Sequence, residues 1–146
     1  MKLENLRLGI LAEILAVFFF AGIAMAGDQP KPIEELSKQF DEACQNLLQN
    51  KPDKAEAAVE QTIQLLEDNH EKSKGRAKKM MSTDIKELKR FKRDIAENNL
   101  RSRVFRLESL YRKAESALWH YLRQVDGSIR KPKVSVLGTS GKCVAE

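Results

Sequence analysis

Histidine is almost missing from this chain, with only His70 and His120 among 146 residues. No G-x-S-x-G, H-E-x-x-H, phosphate-loop, C-x-x-C or C-x-x-C-H pattern occurs. Carboxylates are plentiful but spaced as helix faces, so nothing assembles a catalytic constellation and no enzymatic activity is expected. Aromatic residues reach only 6%. A core short of them is built mostly from Leu, Ile, Val, Met and Ala, which suits a helical bundle better than a sandwich or barrel. Long apolar runs are missing too: Ile14 to Ala26 has 13 residues, short of the roughly 20 that span a membrane.

That run has a different meaning. Lys2 and Arg7 precede it, and Ala24-Met25-Ala26 ends it with small residues. The pattern is a secretory signal over 1–26, cleaved before Gly27. Glu4 and Glu13 are unusual in such a leader, and leave an uncleaved anchor as the alternative. No Cys follows the cleavage point, so attachment through a lipidated first residue is not expected. The remaining chain is long enough for one small domain and too short for two.

Cysteine occurs twice, at Cys44 and Cys143. Export implies an oxidising compartment in which a disulfide persists. The single intramolecular pairing would close a loop of about 100 residues and constrain the unfolded chain by about 4 to 5 kcal/mol in the entropic view. Nothing in the spacing demands it, and two unrelated thiols are the alternative.

What the chain has in quantity is three-four apolar spacing. The clearest stripe is Val104, Leu107, Tyr111, Ala114, Leu118, Tyr121 and Val125, with Ser102 as cap and Gly127 as a left-handed stop. Ile33, Leu36, Phe40, Ala43 and Leu47 predict a helix over 33–49, with Pro32 and Glu34 suited to its first turn. Pro52 opens a second, with Ala55, Val59, Ile63 and Leu66 on one face, and the short connection makes the two an antiparallel hairpin. Between Asn69 and Lys79 the apolar pattern thins. Gly75 and the capping run Ser82-Thr83-Asp84 argue for a break there, followed by a third helix carrying Met81, Ile85, Leu88, Phe91 and Ile95. The alternative is one long central helix over about 53–97. The expectation is thus an all-α, antiparallel bundle of four helices over 27–127, with 128–146 a flexible tail, partly docked at most.

Charge is unevenly divided. Residues 28–71 carry four Lys against eleven acidic residues, and residues 72–113 carry fifteen basic residues against five acidic ones. A negative hairpin laid on a positive one accounts for much of the basic excess. Beyond that, Lys86, Lys89, Arg90, Lys92 and Arg93 form a candidate basic face. Phe105, Trp119 and Leu122 lie off the core stripe and form a candidate partner patch, unless another helix or the Val134–Leu137 segment covers it.

In size, leader, basic charge and helical content the chain resembles small periplasmic helical chaperones of the Skp and Spy kind. The resemblance is compositional: the LTxxQ repeats of the Spy group, the strands flanking the Skp coiled coil and any tetratricopeptide period are absent, and no residue role is carried over. The sequence therefore implies an exported, periplasmic or extracellular binding protein, chaperone-like or scaffolding, without a cofactor. Its partner would be an acidic protein or an anionic envelope component. Nucleic acid is not expected in that compartment, and membrane contact is expected only through the leader or weakly by charge. Association with further copies of the chain stays open. From another class, a haem or metal held by Met80 or Met81 and His120 is the alternative, since a fold-back about Leu100 sets 80 level with 120.

Overall fold

The computed structural model describes residues 29–95, 100–139, 141 and 143. The chain divides into two compact units, Met1–Pro30 and Lys31–Glu146, and the described elements belong to the second. The leader, its cleavage point and the Glu97-Asn98-Asn99 end of the third helix lie outside the described residues. Among the described residues there are four helices: α1 (Lys31–Leu48), α2 (Pro52–Lys72), α3 (Gly75–Asp94) and α4 (Leu100–Val125).

Each helix packs on its neighbour in sequence, and α1 closes the ring against α4; across the diagonals, α2 and α4 touch only sparingly. Side-chain pairs give the directions. Gln39 meets Gln61 between α1 and α2. Glu60 with Lys92 and Glu67 with Lys89 run oppositely between α2 and α3. Glu87 with Lys113 and Asp94 with Arg106 both centre the α3–α4 fold-back on residue 100. This is an antiparallel four-helix bundle.

The three-four stripes form its core. Ile33, Leu36, Ala43 and Leu47 of α1, Val59, Ile63 and Leu66 of α2, Met81, Leu88 and Phe91 of α3, and Leu107, Tyr111 and Leu118 of α4 are fully buried. Val125, at the end of the α4 stripe, is 68% exposed, because the bundle ends there. One polar crossbar spans the short diagonal: Tyr111 Oη and Thr62 Oγ1 are 2.6 Å apart, and Thr62 also donates to Ala58 O at 3.1 Å. Since the threonine proton is taken by Ala58, the tyrosine donates.

The chain reversals follow from backbone chemistry. Asn50, with φ 58°, closes α1. Its N–H reaches Leu47 O while Lys51 N–H reaches Asn46 O, the paired bonds of a Schellman ending. Pro52 then starts α2. Between α2 and α3 only Ser73 and Lys74 are non-helical, and Gly75 turns the chain with φ 58°, where a side chain would be strained. Gln124 clamps this turn from α4, donating to Lys74 O at 2.8 Å.

Three sequence expectations change. The break between α2 and α3 is present, but α3 begins at Gly75 rather than at Ser82-Thr83-Asp84. Thr83 instead bonds back to Lys79 O in mid-helix. Helix α4 starts at Leu100, so Ser102 lies inside it. Gly127 is not left-handed; Asp126 Oδ1 takes the N–H and hydroxyl of Ser128 and makes the stop with a side chain.

The tail after α4 is docked. Cys143 is joined to Cys44, with Cα atoms 5.7 Å apart and the two residues 99 positions apart in sequence. Lys131 donates to Ser116 Oγ at 3.3 Å and Ser135 donates to Glu115 Oε2 at 3.0 Å. A segment that leaves α4 at Asp126 and meets it again at Ser116 and Glu115 runs back along the helix. It then passes α1 at Phe40, beside Gly138. Leu137 enters the core cluster, with Ile129 and Val136 against it.

Candidate functional site

Helix α3 divides its cations between two directions. Lys89 and Lys92 lean onto α2, pairing with Glu67 at 3.1 Å and Glu60 at 2.6 Å. They are the seam between the acidic and basic hairpins, and with Glu56 and Arg93 they line an open cleft of about 580 Å³. Lys79, Lys86, Arg90 and Arg93 fall at helical steps of seven, four and three on the side opposite Met81, Leu88 and Phe91. All four are exposed. None of the four makes an ion pair among the described residues. Their stripe runs for about 21 Å along the helix axis at 1.5 Å per residue.

At the end of this stripe, Asp94 accepts a 2.8 Å hydrogen bond from Arg106, with Arg103 at 3.9 Å. The Arg106 hydrogen bond, with the charges of Arg106, Arg103 and Arg93, holds its carboxyl below the usual range. Arg106 also lies over the Phe91 ring at 5.6 Å. These contacts fix the lower ends of α3 and α4 together and leave the outward stripe to solvent.

The aromatic patch expected on α4 is not assembled. Phe105 is 72% exposed, but Trp119 is 4% and Leu122 9% exposed. Leu122 falls four residues after Leu118, on the core stripe itself, with Trp119 to one side of it, and both belong to the core cluster. Burial of Trp119 and Leu122, weighed from sequence as the other outcome, removes both from the surface and leaves Phe105 alone.

The residues considered for haem or metal are set apart by their surroundings. Met81 is wholly buried in the core. Met80 borders a cleft, and His120 is held below the ordinary imidazole value by burial and then by Arg76, Lys131 and Arg123. Three cations around the one imidazole disfavour a metal ion there. Among the described residues no group of three His, Cys, Asp or Glu is placed to hold one, and no helix is long and apolar enough to cross a membrane.

Two carboxylates were not singled out by sequence as sites. Asp84 is 5% exposed, with Oδ2 lacking a hydrogen-bond partner among the described residues. It borders a cleft of about 430 Å³ between α3 and α4, with Lys79, Met80, Thr83, Glu87, Lys113 and Ser116. Burial, reinforced by Glu87 and opposed by Lys113, pushes its pKa up to about 6. Glu115, 4% exposed, receives the Ser135 hydroxyl. A signal existed for both: Asp84 interrupts the stripe of Met81 and Leu88, and Glu115 that of Tyr111 and Leu118.

No known protein family matches the chain, and neither the curated proteins nor the solved structures contain a match to it.

Proposed function

We propose that this is an exported helical binding protein, chaperone-like or scaffolding, that holds an acidic partner of the envelope against the outward stripe of α3. The observation that carries the reading is the stripe of Lys79, Lys86, Arg90 and Arg93, whose charge is left over after the acidic hairpin has neutralised Lys89 and Lys92. A row of unpaired cations on a rigid helix steers an anionic partner and sets its register. Phe105 is a single apolar contact near one end of the neighbouring helix. Export rests on the leader pattern, and the Cys44–Cys143 disulfide is in keeping with an oxidising compartment.

The test is crosslinking and co-purification from the native host, comparing the wild type with a Lys86→Glu, Arg90→Glu, Arg93→Glu variant. These positions lie opposite the core, so helicity and melting should be preserved. Loss of the captured partner at moderate salt supports the reading; capture of the same partner in the same yield refutes it. Export is read separately, by intact mass: mature protein beginning at Gly27 is expected, and retention of 1–26 refutes cleavage.

A further inference from the structure

The tail shows what its own berth recognises. Ser135 gives its hydroxyl to the buried carboxylate of Glu115, two residues later Leu137 is buried to 9% exposure, and Gly138 passes the Phe40 ring of α1. Val134, between these contacts and solvent, is 77% exposed. The berth is therefore a slot along α4 and α1 that accepts a hydroxyl, then an apolar side chain two positions on, then a residue in the left-handed conformation that glycine favours, Gly138 at φ 76°. Among the described residues the segment is held by two side-chain hydrogen bonds to α4, by Leu137 in the core cluster with Ile129 and Val136 against it, and by Cys44–Cys143 at the far end.

We propose that this slot is a peptide-binding site, that the tail is its built-in occupant, and that opening Cys44–Cys143 frees it for a Ser/Thr-x-apolar-Gly segment of another chain. The site is distinct from the basic stripe and goes beyond the function proposed for it. Cys44 is fully buried and Cys143 partly accessible, which sets the order of events. A dithiol reductant attacks Sγ of Cys143 with its first thiolate, and Cys44 leaves as a thiolate and takes a proton. The second thiol of the reductant then displaces Cys143 from the mixed disulfide. Two electrons pass, leaving two protein thiols and an oxidised reductant. The tail is then held by non-covalent contacts alone and exchanges with a competing segment at an effective concentration set by its own tether.

Trp119 is the only tryptophan and lies one helical turn beyond Glu115, the residue to which Ser135 of the tail is bonded, so its accessibility serves as the readout of the tail's departure. The experiment uses full-length mature protein and measures acrylamide quenching of Trp119 before and after dithiothreitol, with helicity followed by circular dichroism. The probe is a synthetic peptide of residues 128–141. Expected are unchanged helicity, at least a twofold rise in quenching on reduction, and restored shielding with excess peptide but not with a peptide carrying Leu137→Asp. A Cys143→Ser chain should behave as the reduced protein does without any reductant. The proposal is overturned if Trp119 stays shielded after reduction, if helicity falls with it so that the tail is an integral part of the core, or if the peptide fails to restore shielding. The Lys86→Glu, Arg90→Glu, Arg93→Glu variant should give the same readings, so failure here is separable from failure of the basic stripe.

Discussion

Cutting the polar crossbar from each side should have unequal effects. Thr62 and Tyr111 are both fully buried, with 2.6 Å between their hydroxyl oxygens, and Thr62 donates onward to Ala58. Tyr111→Phe removes a donor; Thr62 keeps Ala58, nothing buried is left with an unplaced proton, and about 1 kcal/mol is lost. Thr62→Val keeps the side-chain shape but strands the tyrosine O–H in an apolar interior, where an unsatisfied donor costs about 2 kcal/mol or more. The double variant replaces both polar partners with apolar groups of similar shape and should cost about 1 kcal/mol or less. Set against roughly 3 kcal/mol for the two singles together, that leaves a coupling of about 2 kcal/mol. Urea unfolding of all four proteins at one pH measures it, provided the slope with denaturant is shared. Strict additivity, or a Thr62→Val loss smaller than that of Tyr111→Phe, would refute the donor assignment.

Burial raises the Asp84 pKa from its ordinary 3.8 to about 6. The folded state therefore binds the proton more tightly, so the cost of burying the charge is fully present above about pH 6 and is relieved as pH falls towards 4. At about 1.4 kcal/mol per unit the cost is at most about 3 kcal/mol. Asp84→Asn should accordingly stabilise by about 2 kcal/mol at pH 7.5 and hardly at all at pH 4, and an equal gain in melting temperature at both would sink the argument. Asn50 sits at φ 58°, so Asn50→Gly should be neutral or stabilising while Asn50→Ala costs about 1 kcal/mol, read by thermal melts. The reverse order would mean that the α1 ending is not left-handed in solution.

How much of this was legible from residues alone differs from element to element. The stripes of α1 and α4, the hairpin across Asn50 to Pro52 and the fold-back about Leu100 could all be read, because helical periodicity and reversal chemistry are local properties of the chain. The start of α3 was missed by seven positions. A single Gly75 in the left-handed region reverses the chain within a turn too short to disturb the three-four rhythm on either side. Lys89 and Lys92 could not be told from Lys86 and Arg90 as free charges until the acidic face of α2 was seen beside them.

Trp119 and Leu122 show the limit most clearly. Their spacing suggested a face off the core stripe of α4, yet both are buried in the core cluster, Leu122 one turn after Leu118; the tail, with no periodicity of its own, is brought to the bundle by Cys143 and by a hydroxyl on Glu115. Which side of each helix turns inward was written in the sequence. Which outward side stays outward was decided only by long-range contacts, because burial off the main stripe depends on segments far away in the chain.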